Sequence, residues 1–118
     1  MTLHPSEVAL LKDLALAKAS WVSAAADAIE APKDSVWIEN TEAWSRLSGY
    51  VQCPEAKEAF VAVVSELISG VLHSALVSLD GGSALAETTI LSIQDADGHI
   101  FKRFLHEFWP EYDQENHA

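Results

Sequence analysis

The chain holds a single cysteine, Cys53, so no internal disulfide can form. That fits a reducing compartment, and a lone thiol just before a helix reads as a half-buried side chain rather than a nucleophile. There is no glycine-rich phosphate loop, no paired-cysteine motif, no HExxH and no GxSxG, so the usual signatures of phosphate, zinc and serine-nucleophile chemistry are missing. A secretory leader is not expected either, because the apolar residues after His4 are interrupted by Lys12, Asp13 and Lys18. The expected location is cytoplasmic.

Basic residues are also scarce. Lys and Arg number 7 against 18 Asp and Glu, a formal net charge of −11. Up to Cys53 there are 4 basic and 7 acidic residues, net −3, and beyond it 3 and 11, net −8. Such acidity repels phosphate backbones and anionic lipid, which argues against nucleic-acid and membrane partners. It speeds encounter with a basic protein, or simply maintains solubility. At 118 residues the chain is expected to fold as one globular domain, 1–118, without metal or cofactor.

What is present in abundance is apolar helix. From Ala59 to Leu79 only Glu66 is charged. Phe60, Val64, Leu67, Val71 and Leu72 fall on one side, and Val61, Val63, Ile68, Ala75, Leu76 and Leu79 widen the stripe towards the whole circumference. This predicts a long central buried helix over Pro54–Asp80, opened by Pro54 and stopped by Gly81-Gly82. A charge at Val64 or Leu67 is then expected to unfold the chain. The 21 residues would just span a bilayer, but Glu66, His73, four serines and the absence of a positive-inside bias oppose that reading.

Around this rod, Pro5 to about Ala31 reads as a long N-terminal helix. Leu10, Leu14, Ala17, Trp21, Ala24 and Ala28 form its apolar stripe, with Leu11, Val22 and Ile29 beside it, while Lys12, Lys18, Ser23 and Asp27 can face water. Lys33 to Glu39 reads as a turn or one short strand. Asn40 or Thr41 caps a short middle helix that stops at Gly49. Trp37, Trp44, Tyr50 and Phe60 suit an aromatic cluster over the central helix, or the lining of a groove. Thr88 to Ile93, the turn Asp95–Gly98 and His99 to Phe101 predict a C-terminal β-hairpin, followed by a short helix through Phe104, Leu105, Phe108 and Trp109 that Pro110 cuts off. Asp113 to Ala118 reads as a frayed end. The expected class is therefore α+β, helix-dominated. A lone hairpin is marginal in water, so edge pairing with a second copy, a homodimer, is one expectation.

Four groups of residues bear on chemistry. His73 and Asp80 lie two turns apart on one side of the central helix with Ser74 adjoining, a set reminiscent of a hydrolase but without a strained elbow around the serine. Asp95-Ala96-Asp97-Gly98 opens like a calcium loop, yet His106 stands where the twelfth-position glutamate belongs, so a turn is favoured. Asp97, His99, His106 and Glu107 offer imidazole and carboxylate donors to a transition ion if hairpin and terminal helix meet. Lys102-Arg103, the only adjacent basic pair in the acidic second half, suits surface ion pairing.

Three short motifs, Leu79-Asp80-Gly81-Gly82, Asp95-Ala96-Asp97-Gly98 and Leu105-His106-Glu107-Phe108, give the region from Val71 to Trp109 a resemblance to small acidic bacterial proteins with no assigned reaction. That resemblance implies small size and a bacterial cytoplasm, and carries over no catalytic residue. The expected function is a protein-binding or regulatory module, in the manner of an immunity factor or antitoxin covering a basic effector. Two alternatives stay open: a small hydrolase or metal-dependent enzyme using His73, Asp80, Asp97 or His106, and a structural subunit of an assembly.

Overall fold

The structure, a computed structural model, describes residues 2–102 and 104–115, the side chains of Gln114 and Glu115 excepted. Four α-helices appear in chain order: α1 (Pro5–Glu30), α2 (Thr41–Tyr50), α3 (Pro54–Leu79) and α4 (Trp109–Glu115), with 3-10 turns at Pro32–Asp34, Ala84–Glu87 and Leu105–Glu107. The chain divides into two compact units, one of Met1–Ala17 with Ser69–Ala118 and one of Lys18–Ile68.

The boundaries follow local chemistry. His4 precedes α1, where its Nδ1 accepts the Ser6 N–H at 3.1 Å while Glu7 reaches back to accept the His4 N–H at 2.7 Å. This is the reciprocal arrangement of a capping box, with histidine in the capping position and Pro5 at the first helical position. Asn40 caps α2 by accepting the Ala43 N–H, as its sequence position predicts. At the end of α3, the Gly82 N–H donates to the Val77 carbonyl and the Gly81 N–H to that of Ser78. Gly81 sits at φ +80°, so the helix closes in a Schellman motif with Asp80 at the C-cap.

Three expectations are corrected. No strand, sheet or hairpin exists among the described residues, so the fold is helical rather than α+β. The β-branched run has strand propensity, but propensity without a partner makes no sheet. Pairing begins at one isolated bridge, Gln94 with Ile100, and goes no further. Inside the turn and after Ile100 the backbone turns to carboxylates instead. Asp95 accepts the N–H groups of Asp97 and His99, Glu7 that of Lys102, and Asp80 that of His106. Of the two readings of residues 33–39, the turn is the one found and no strand forms there.

Second, the central helix exists with the expected ends but is not buried. Of α3, only Ser65 and Leu76 are buried, and Leu67 is 65% exposed. A helix apolar all round needs neighbours on every side, and most of α3 lacks them. The expectation that a charge at Leu67 unfolds the chain is therefore withdrawn. It is α1 that carries most of the buried positions, Glu7, Leu11, Ala15, Lys18, Ala25, Ala28 and Ile29. Leu11, Ala28 and Ile29 lie on the expected apolar side, whereas Trp21 is exposed and Lys18 is buried.

Third, Pro110 opens the terminal helix rather than ending one, since a proline in the first turn gives up no intrahelical hydrogen bond. The segment before it is the 3-10 turn Leu105–Glu107. Of the expected frayed end, residues 116–118 lie outside the described residues, as does Arg103 of the basic pair.

The core of the first unit is Leu11, Ala15, Leu76, Leu105 and Trp109, with Leu3, Leu10, Leu14, Leu72, Phe101, Phe108 and Tyr112 packed against it. Trp109 is 1% exposed, and its indole N–H donates to Ser69 Oγ at 3.1 Å, which donates in turn to Asp113 at 2.8 Å. The second unit is held by Ala25, Ala28, Ile29 and Val51 and by a bond from the Ser48 hydroxyl to the Ile29 carbonyl.

Candidate functional site

In the first unit the sequence-predicted polar residues fall into two separate groups. The C-cap geometry of α3 turns Asp80 inward, where it is 5% exposed. Its Oδ2 accepts the His106 backbone N–H at 2.9 Å and lies 2.7 Å from His106 Nδ1. His73, one face along α3, brings its ring to 5.4 Å from that of His106, nearly perpendicular to it. The trio His73, Asp80 and His106 is thus assembled. Ser74, like His73, is exposed.

His99 belongs elsewhere. It stacks on His4 with ring centres 3.6 Å apart, and its Nε2 lies 3.4 Å from the fully buried Glu7. Burial pushes the Glu7 carboxyl up, but hydrogen bonds from the backbone of Lys102 and of His4, together with the bond and the charge of His99, outweigh it and hold the group below the usual glutamate range. Asp95 is also held low, chiefly by the Ser6 hydroxyl and then by the His99 N–H, the Asp97 N–H and the His99 charge, against a smaller desolvation effect. Asp95–Gly98 itself is a side-chain-braced turn with Gly98 at φ +88°. Asp97 and Glu107, offered as metal donors with His99 and His106, are both exposed. Among the described residues no group of three or more His, Cys, Asp and Glu side chains is arranged to hold a metal ion.

Asp80 also borders a hollow of about 110 Å³ formed by Leu79, Leu91–Ile93 and Ile100–Lys102. That is well under the roughly 300–1,000 Å³ of small-molecule sites, so it has room for water rather than a metabolite.

The second unit carries a different feature. Trp21, Trp37, Trp44 and Phe60 form a ladder of edge-to-face contacts, with successive ring centres at 5.3, 5.4 and 6.1 Å. Three members were expected together. Trp21 was not, because the stripe predicted for α1 placed it in the core, and Tyr50, expected in the cluster, is instead 80% exposed. Trp21 and Trp37 remain 54% and 38% exposed, and Val36 beside them is open to solvent. Val63 and Leu67, three and seven residues on from Phe60, share its side of α3 and are also exposed. Residues 18–68 hold 8 acidic and 4 basic side chains, and Arg46 and Lys57 are already paired with Glu42 and Glu30.

Glu7 was missed by sequence reasoning. His4-Pro5-Ser6-Glu7, with proline at the first turn and glutamate two residues on, is the signal that would have marked it as a cap. Its bond to Lys102, 95 residues away, has no sequence signal.

Comparison with protein-family models, with curated proteins and with solved structures finds no match.

Proposed function

We propose that the protein is a protein-binding module whose docking face is the aromatic ladder of the second unit, continued along α3 by Val63 and Leu67. The observation that carries this reading is the exposure of Trp21 and Trp37 at the open end of the ladder. Tryptophan left half in water, and held rigid by edge-on neighbours, loses little rotational freedom when a partner covers it, which is why tryptophan dominates binding energy at protein interfaces. The partner favoured is an amphipathic helix with basic flanks: the apolar residues match its apolar face, and the acidic excess of residues 18–68 matches the flanks.

Lipid is the competing occupant. α3 is long and apolar enough to cross a membrane by length and composition, and little of it is buried. Against that, Glu66 is exposed in the middle of the helix, and a carboxylate there costs about 2.5–3.5 kcal/mol on insertion scales.

The test is a tryptophan-fluorescence titration of the chain with an amphipathic leucine–lysine helix, alongside a leucine–glutamate helix of the same pattern and zwitterionic vesicles. The expected result is a blue shift with the lysine peptide alone, weakened by salt and abolished in Trp37→Ala. Binding that ignores peptide charge, or a response to vesicles only, overturns the proposal.

A further inference from the structure

We propose that His73 and His106 form a two-imidazole site for a borderline transition-metal ion such as zinc, nickel or copper, with Asp80 bracing His106 from behind. An ionised carboxylate only accepts hydrogen bonds, so the 2.7 Å contact places the proton of His106 on Nδ1. In the neutral ring Nε2 then keeps its lone pair. A carboxylate holding the far nitrogen is the usual way in which a metal-binding imidazole is fixed in tautomer and orientation. The bracing is firm, because the same Oδ2 accepts the His106 backbone N–H and the Schellman turn holds Asp80 in place.

The second imidazole lies at a distance that a shared ion can span. Ring planes of His73 and His106 stand at 88° with centres 5.4 Å apart. An ion about 2.0–2.1 Å from one nitrogen of each ring, in tetrahedral geometry, sets the ring centres about 5 Å apart. The other histidine pair serves as an internal contrast. His4 and His99 are nearly parallel at 13°, so their in-plane lone pairs run side by side and do not converge. His4 Nδ1 moreover accepts the Ser6 N–H, and His99 Nε2 faces Glu7. Two protein ligands leave the remaining coordination positions to water or to an external donor, so the site is open, and imidazole donors favour zinc, copper and nickel over calcium or magnesium.

Calorimetric titration of the full chain with zinc chloride tests this. One ion is expected per chain, with affinity at least tenfold weaker in His73→Ala and in His106→Ala, ten- to a hundredfold weaker in Asp80→Asn, and unchanged in His99→Gln. Copper(II) electron paramagnetic resonance should show two imidazole nitrogens, falling to one in His73→Ala. His73 is exposed on its helix, so its variant folds even if removal of His106 does not allow folding. No heat with zinc, or binding undiminished in His73→Ala, overturns the proposal.

Discussion

The Glu7 carboxylate meets donors from both ends of the chain: the N–H of His4, the N–H of Lys102 and the ring of His99. Replacing it by alanine leaves two backbone donors without their acceptor, at a cost of roughly 2–3 kcal/mol, which a urea melt of Glu7→Ala should read directly. The pH dependence follows from the same bonds. Glu7 and Asp95 titrate lower in the folded chain than in the unfolded one, so their stabilisation is complete above the ordinary carboxylate range, about pH 4, and is lost as pH falls through the lower folded values. The urea midpoint should therefore drop on acidification below about pH 4, and less steeply in Glu7→Gln than in the parent. An equal slope in both would show that Glu7 takes no part.

At the scale of elements, α3 is a helix with two unlike sides. Leu76 is fully buried against Leu11, Ala15, Leu105 and Trp109, whereas Leu67, nine residues earlier, is mostly in water. The two positions look alike in sequence, and they should behave differently. Leu76→Asp is expected to prevent folding, since it sets an unpaired charge into the core. Leu67→Asp should change stability by no more than about 0.5 kcal/mol by circular dichroism, while disabling the proposed docking face. The C-terminal segment shows the opposite principle. The described residues of 88–108 form almost no regular structure, yet four of their N–H groups are received by Glu7, Asp80 and Asp95. Three acceptors placed by α1, by the end of α3 and by a turn do locally what a neighbouring strand would have done.

For the whole molecule the net charge of −11 is the governing quantity. Like charges at this density raise the free energy of a compact state, and salt screens them over about 10 Å at 0.1 M. The buried Glu7 and Asp80 contacts are screened far less. The melting temperature is therefore expected to rise from low to physiological ionic strength. A fall would mean that surface ion pairs such as Glu42–Arg46 matter more than the general repulsion.

The helices and their ends were largely legible in the residues. Pro54 and Gly81-Gly82 bracket α3 and Asn40 caps α2, because capping and left-handed closure depend on side chains within a few positions of each other. The excess of carboxylates, and with it the expected sign of a partner, was equally plain. Burial was not. An all-round apolar helix reads the same whether neighbours cover it or not, and only tertiary packing decided that Leu76 is enclosed and Leu67 is open. The hairpin failed for a related reason: strand propensity is local, and pairing stops at Gln94 and Ile100, after which the N–H groups of Lys102 and His106 go to Glu7 and Asp80, brought in from other parts of the chain. His73, Asp80 and His106 could be named as candidates from the chain, but that they meet, and that His99 stands apart with Glu7, is a property of how distant segments come together.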